Sequence, residues 1–444
     1  MVVVAGLLVA LAFKPFGIWP LAILGYALFV KELEVARRPI LDSWLFGLTS
    51  SLIILKWSDI YVGVVPYLAL ALLQSLFSIP LGAHVKYLKR SYLLPVTFLA
   101  FEYLREIAPF GGFSWTQLGF SQIDAPYRNL AAMGGVFLIS AFIFAIASMK
   151  NVYQGALVAV LLIPGLLLLN PRGEGEELKI AAIQGTSPDR STNYASDIDE
   201  VFRRHFTLSK KVSSAEIIVW PEDVLDGAPH DKKYIKYFNE LQGKDLIIGN
   251  SPYVDSQPEN LSTHISADGK VESVYSKQSL VPFGEYVPLR SIVKKLNSHV
   301  GEVIDYRPGR ETVVHIVRGQ RLTSLICFEI IDNSIVRKAA HESHFMVAQT
   351  NTSTFRGTYE AEQQFAITRM RAIEYSRPIL SVSTVGYTAF IDNNGRVESQ
   401  AKLDTPSILY GTMVGNGYTT LYSRFPFLAP IFIFFFVALG RKNR

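Results

Sequence analysis

The sequence predicts a two-part chain: a polytopic α-helical membrane domain of about eight transmembrane helices, and an extracytoplasmic α/β domain. Three observations lead there. Of 444 residues, 49% are apolar and only 18% charged, with a mean hydropathy of +0.24, which is more hydrophobic surface than one globular core needs. The excess is uneven: residues 1–170 and 422–440 are apolar and poor in charge, 178–415 read as an ordinary soluble domain, and 171–177 form a Gly-containing linker between them. The third observation is the regular spacing of basic clusters between the apolar runs.

Polar breaks divide the first part into runs at 1–13, 18–30, 41–58, 61–83, 92–108, 127–149 and 152–169, and an eighth run spans 425–440. Crossing a bilayer takes about 20 apolar residues, so the third, fourth and sixth runs are comfortable and the first two are short. Residues 1–13 lack a basic leader and a small-residue cleavage site before Lys14-Pro15, and so read as a span and not a cleaved signal. Lys31, Arg37 and Arg38 follow run two; Lys86, Lys89 and Arg90 follow run four; Lys150 follows run six; Arg441, Lys442 and Arg444 follow run eight. Basic loops are retained on the cytoplasmic side. Both termini are therefore expected inside, and the 178–415 domain on the periplasmic or outer face of a bacterial cytoplasmic membrane. The net charge of +5 is partly these loops, and it argues for membrane topology rather than nucleic-acid binding.

Within 178–415, short apolar strands are expected at 178–184, 215–220, 245–249, 271–275, 322–327, 345–348, 379–383 and 388–391. Helices are expected at 195–214 and 358–376, with a hairpin turn at Asp392-Asn393-Asn394-Gly395. Strands alternating with helices point to an α/β sandwich with its chemistry at strand ends.

Three strand ends carry candidate chemistry. Cys327, the single cysteine of the chain, closes an apolar strand; with no disulfide partner in an oxidising compartment, it reads as a reactive thiol. Glu222 follows Ile217-Ile218-Val219-Trp220-Pro221, where the proline stops the strand, and a carboxylate beside a thiol can serve as general base. Lys277 follows a strand at Tyr275-Ser276 and can face a tetrahedral oxyanion. The loop after it, with Phe283, Tyr286 and Val287, is apolar enough to form a lid dipping into lipid. His341-Glu342-Ser343-His344 lacks zincin spacing, Asn260-Leu261-Ser262 is a glycosylation sequon by letters only, and no glycine-rich phosphate loop is present. No metal and no cofactor are expected.

The order Glu, Lys, Cys in one domain resembles the nitrilase (carbon–nitrogen hydrolase) superfamily, and the whole chain more closely resembles its membrane-bound branch, the apolipoprotein N-acyltransferases. The resemblance rests on Pro15-Phe16-Gly17-Ile18-Trp19-Pro20, Trp115-Thr116-Gln117-Leu118-Gly119-Phe120-Ser121-Gln122, Val219-Trp220-Pro221-Glu222, Leu280-Val281-Pro282-Phe283-Gly284-Glu285, Ile326-Cys327-Phe328-Glu329-Ile330 and Arg369-Met370-Arg371-Ala372. It implies an α-β-β-α sandwich with Cys327 as nucleophile, Glu222 as base and Lys277 as oxyanion stabiliser, supported by Glu285, Phe328 and Glu329. The implied reaction moves an acyl chain from a phospholipid, typically phosphatidylethanolamine, through a thioester to the α-amine of a diacylglyceryl-cysteine on an apolipoprotein. A monomer is the default state.

The chain departs from the family's pattern at Thr350-Asn351-Thr352-Ser353-Thr354-Phe355-Arg356-Gly357, at Gln363-Gln364, at Thr384-Val385-Gly386, and at Asn193 in place of a tryptophan. These changes bear on the acceptor more than on the triad. They leave open a membrane-tethered amidase, or an acyltransferase for a different amine.

Overall fold

A computed structural model describes residues 1–188, 194–288, 290–291 and 304–441; Asn193, Lys442 and Arg444 lie outside the described residues. Tertiary contacts divide the chain into two units. The first comprises Met1–Pro171, Glu362–Ser376 and Tyr418–Arg444; the second comprises Arg172–Ala361 and Arg377–Gly417.

In the first unit each apolar run forms helix: Val2–Ala12, Pro20–Val35, Pro39–Ile54, Val64–Leu76 with Ile79–Ala83, Leu94–Ile107, Ala131–Ser148, Val152–Leu167 and Leu428–Arg441. Only Val64–Leu88 and Arg128–Ser148 are long and apolar enough to cross a membrane, among the described residues. The 41–58 run, expected to span comfortably, yields a 16-residue helix that stops at Ile54, about 24 Å long against a hydrocarbon core of about 30 Å. Its last residues turn instead into a short 3₁₀ segment, Lys56–Ser58, where Lys56 pairs with Asp59. The unit's centre is aromatic: the Tyr26 ring stands edge-on to Phe46, Phe98 and Phe144 at 5.3, 5.4 and 5.6 Å, a geometry that adds to area burial.

The helix Glu360–Tyr375 lies, in sequence, inside the expected soluble domain, yet its residues from Glu362 onward pack in the first unit. Two polar devices hold it there. Gln363 Oε1 accepts from the Trp57 and Trp115 indoles at 3.1 and 2.6 Å, while its Nε2 donates to the carbonyls of Lys14 and Ile54. The second device is Glu374, paired with Arg371 at 2.6 Å and fully buried with it. Glu374 Oε1 accepts the Val136 N–H at 2.8 Å, just after non-helical backbone at Gly134-Gly135 interrupts the Ala131–Ser148 helix. That interruption frees N–H groups that need an acceptor, and a buried carboxylate supplies one.

The second unit is two six-stranded sheets. One orders its strands β14(Ser407–Val414)-β1(Glu177–Gln184)-β2(Ile217–Val219)-β3(Asp245–Asn250)-β6(Leu261–Ile265)-β7(Val271–Ser276). The other runs β13(Val397–Gln400)-β12(Ala389–Ile391)-β11(Ile379–Ser383)-β10(Phe345–Thr350)-β9(Gln320–Ile326)-β8(Val314–Val317). Strands β1, β2 and β3 run parallel, as do β9, β10 and β11. A small hairpin joins β4(Tyr253–Val254) to β5(Gln257–Pro258).

Period-two alternation decides the layers. Ile180 and Ala182 of β1 meet Ile217, Val219, Leu322, Val347 and Leu380 in a core drawn from both sheets, while Ala181 and Ile183 face Phe202, Phe206 and Phe238 of the outer helices. The result is a helix–sheet–sheet–helix sandwich. Strands β6, β8, β13 and β14 of these sheets, with β4 and β5, add to the eight expected. In the late hairpin the Asp392 N–H donates to the Arg396 carbonyl, and Asp392 Oδ1 accepts from the N–H groups of Asn394 and Arg396, with Gly395 at φ +70°.

Candidate active site

The site forms where β2, β7, β9 and β10 end. Sheet-to-sheet hydrogen bonds fix that edge: Ser262 Oγ to Ser324 Oγ at 2.7 Å, and Gln349 Nε2 to the Trp220 carbonyl at 2.8 Å. Glu222 follows β2 in a turn that leaves Asp223 at φ +55°. This turn runs against β3 so closely that a Cβ on Gly249 would lie 2.1 Å from the Pro221 oxygen. Lys277 directly follows β7, and there a Cβ on Gly309 would lie 2.1 Å from the Ser276 oxygen, while the Gly309 N–H donates to Lys277 O. Cys327 directly follows β9 and holds φ +50°. Left-handed backbone at non-glycine residues costs on the order of 1–3 kcal/mol and concentrates at functional sites. At Cys327 it lifts the side chain out of the strand's pleat at the head of a 3₁₀ turn, Cys327–Ile331, the same device as a nucleophile elbow.

The structure brings together Glu222, Lys277, Glu285 and Cys327. The Lys277 ammonium is 2.8 Å from Glu285 Oε1 and 3.3 Å from Glu222 Oε1, with all three side chains buried. Burial works against charge on Lys277, but the two carboxylates outweigh it and hold the amine well above its ordinary range. The lysine is thus a fixed cation. Burial pushes the Cys327 thiol well above its usual range and the Glu222 charge adds to this, with Lys277 acting the other way. The thiol is half-buried, and a thiol held in such surroundings would need a base to act as a nucleophile.

Glu329 is not at the reacting edge. Its buried carboxylate accepts from Ile326 N at 2.7 Å through Oε2, and from Gln278 N at 2.6 Å and the Tyr275 hydroxyl at 2.8 Å through Oε1. One side chain therefore ties the end of β9, which presents the thiol, to the end of β7, which presents the amine. Burial raises its carboxyl to about 7 against those donors. Phe328 is half-buried beside the thiol. Of the three lid residues, Phe283 is exposed at φ +64°, Tyr286 is half-buried and Val287 is buried; Val287 donates its N–H to Asp305, so it packs beneath the loop instead of lining its outer surface.

Sequence reasoning missed Asn260. Its Nδ2 donates to Glu222 Oε1 at 2.9 Å and to Glu285 Oε1 at 3.0 Å, bridging both carboxylates that face Lys277. The letters Asn-Leu-Ser drew attention to a sequon, whereas the pairing of β6 with β7, Leu261 opposite Ser276, is what places Asn260 beside Lys277. Glu360 was missed too: it is buried and its charge acts on the thiol. Asp223 is a further titratable neighbour, raised to about 7 by burial, with Ser251 Oγ donating to it at 2.6 Å.

The departures at 350–357 and 384–386 form one network. The Asn351 N–H donates to Glu222 Oε2 at 2.8 Å, and Asn351 Oδ1 accepts from Thr384 Oγ1 and Ser353 Oγ at 2.8 and 2.7 Å. Both oxygens of Glu222 are therefore oriented, one by Asn260 and Lys277, the other by this loop. Arg356 points away from that network to pair with Asp404.

Residues 179–419 match the carbon–nitrogen hydrolase family, and residues 5–149 match the apolipoprotein N-acyltransferase N-terminal domain. Curated apolipoprotein N-acyltransferases align along nearly the whole chain. That of Pseudomonas putida is 28% identical over 464 positions, covering 94% of this chain and 91% of the relative. That of Azotobacter vinelandii is 29% identical, covering 95% and 90%, and that of Pasteurella multocida 27%, covering 89% and 86%. Among solved structures, a CN-hydrolase superfamily protein of Xanthomonas campestris aligns at 16% identity and a TM-score of 0.42, over 57% of this chain and 96% of that one.

Proposed function

The chain belongs to the carbon–nitrogen hydrolase family, and from that membership we propose that it is an apolipoprotein N-acyltransferase, with Glu222, Lys277 and Cys327 as its catalytic triad. The observation that carries this reading is the union, on one chain, of the acyltransferase N-terminal domain at 5–149 with the hydrolase domain at 179–419.

As a phospholipid ester approaches, Glu222 takes the proton from Cys327 Sγ while sulfur bonds to the acyl carbonyl carbon. Lys277 faces the oxyanion of the tetrahedral intermediate. Collapse breaks the C–O bond, and the proton on Glu222 passes to the departing lysophospholipid alkoxide, leaving an acyl thioester. In the second half the α-amine of a diacylglyceryl-cysteine attacks the thioester carbonyl, Glu222 accepts the amine's proton, and the thiolate leaves to be reprotonated. Splitting one difficult transfer at a single carbonyl into two easier steps is what covalent catalysis provides. Holding Glu222 by both oxygens supports its role, because a base must meet two different donors in one geometry. Phosphatidylethanolamine is the donor we assign, the diacylglyceryl-modified apolipoprotein the acceptor, and a monomer the working unit.

We assign residues 1–170 and the 425–440 run to about eight membrane crossings, with both termini cytoplasmic and the hydrolase domain on the outer face of a bacterial inner membrane. Exposed side chains of the first unit support this: Val65 is 78% exposed, Leu167 74% and Phe434 68%, a surface that water tolerates poorly and lipid covers. Phe283, exposed on the loop after Lys277, is the residue we assign to contact with the leaflet.

The test is acyl transfer in proteoliposomes, with phosphatidylethanolamine as donor and a synthetic diacylglyceryl-cysteinyl peptide as acceptor. A triacylated peptide that forms with wild type and not with Cys327→Ser supports the assignment. Release of free fatty acid with the peptide unchanged would replace it with a hydrolase.

A further inference from the structure

The first unit carries a groove that the acyl-transfer chemistry does not use. It has a volume of about 820 Å³ and lies between the start of the Pro39–Ile54 helix and the end of the Val64–Leu76 helix, within the roughly 300–1,000 Å³ typical of ligand sites. Leu41, Trp44, Leu72 and Leu76 line it together with Arg37, Arg38 and Lys86. No acidic side chain lines it. Asp42, in the same helical turn, is not on the lining, and none of the three cations makes an ion pair with a described acidic residue. Arg38 also occupies the N-cap of the Pro39–Ile54 helix, where no side chain caps the free N–H groups and the helix dipole favours an anion.

Three cations share this groove with apolar side chains: Arg37 and Arg38 in the loop before the Pro39–Ile54 helix, and Lys86 in the helical turn His84–Leu88. A solvated basic loop needs no such trough, and an acyl chain alone needs no such cations. The chemistry that satisfies both parts of this lining is one diacyl phospholipid with a net negative headgroup: its phosphate toward Arg37, Arg38 and Lys86, and one acyl chain against Leu41, Trp44, Leu72 and Leu76. We propose that this groove is a binding site for such an anionic phospholipid, held by the bilayer and distinct from the acyl donor. Basic pockets between membrane helices have this selectivity, and a tryptophan in the lining suits a membrane interface. The proposal rests on the reading that residues 1–170 lie in a membrane. By the basic-loop rule, the groove opens on the cytoplasmic leaflet.

The experiment uses the full-length protein in nanodiscs of phosphatidylethanolamine with a minority of phosphatidylglycerol, followed by detergent extraction and native mass spectrometry of the lipids retained. Wild type is expected to retain phosphatidylglycerol well above its share of the bilayer. The triple variant Arg37→Gln, Arg38→Gln, Lys86→Gln should lose that preference by about 100-fold, at roughly one unit of surface charge attraction per residue removed. Leu76→Trp, which fills the groove and keeps the charges, should lower retention as well, and both variants should transfer acyl chains to the lipopeptide as wild type does. Equal phosphatidylglycerol in wild type and the triple variant would overturn the groove assignment. A wild-type chain that does not enter nanodiscs would instead overturn the membrane reading, and the groove with it.

Discussion

At the scale of single residues, the proposed chemistry depends on how Glu222 is held: Asn260 and Lys277 on one oxygen, the Asn351 N–H on the other. Cys327→Ser and Glu222→Gln should each remove acyl transfer, and Lys277→Ala should lower kcat by about 100-fold or more, measured in the proteoliposome assay. Asn260→Leu removes one donor from each of two buried carboxylates; hydrogen bonds to charged groups are worth about 1.5–3 kcal/mol, so kcat should fall by about 10–100-fold with KM little changed. Asp223 gives a separate handle on the site. Its carboxyl sits at about 7 in the folded chain against an ordinary 3.8, so between those values the folded state holds more protons than the unfolded one. Stability should therefore fall as pH rises from 5 to 8, and the melting midpoint of Asp223→Asn, followed by differential scanning calorimetry, should show a smaller fall over the same range. The strand-end positions of Glu222, Lys277 and Cys327 are legible in the sequence, because each follows an apolar run bounded by turn residues. Asn260 is not, since its contacts depend on which strand pairs with β7, and a local pattern carries no information about that.

Elements explain why the departures from the family's pattern are compatible with the site. Thr384 reaches Asn351, and Asn351 reaches Glu222 through its backbone, so a change at 384–386 and a change at 350–357 act as one. Thr384→Val should loosen the base and reduce kcat by several-fold, about one lost hydrogen bond, while the thioester's reactivity toward added hydroxylamine is retained. The helix Glu360–Tyr375 makes the opposite case. Its existence and limits follow from sequence to within two residues, yet its packing with the first unit rests on Gln363 and Glu374, polar residues whose buried partners lie far away in sequence. Gln363→Leu would leave the Trp57 and Trp115 indoles and two carbonyls buried without their partner, at about 1–3 kcal/mol for each group. A thermal scan should show a midpoint well below wild type. Strands β6, β8, β13 and β14 escape a pattern reading for local reasons: β13 is largely exposed and β14 mostly half-buried, β8 is only four residues long, and β6 is buried but carries Ser262, Thr263 and His264.

For the whole molecule, composition separates the chain into apolar and ordinary parts, and the two contact-defined units largely follow that division except for 362–376. Helix existence is also legible, whereas helix length is not: prolines, glycines and the Lys56–Asp59 pair cut apolar runs into segments shorter than the runs themselves. Topology can be tested directly because Cys327 is the single cysteine. In a Cys327→Ser background, a membrane-impermeant maleimide applied to spheroplasts should label Asp268→Cys and leave Lys89→Cys unlabelled until the membrane is permeabilised. The central claim, that an acyl group passes through sulfur, calls for intact-mass spectrometry of the protein purified from membranes, before and after neutral hydroxylamine. Wild type should carry an acyl-sized adduct that hydroxylamine removes and that Cys327→Ser lacks. Well-folded wild-type protein, supplied with phospholipid and active in transfer but never carrying that adduct, would contradict the account.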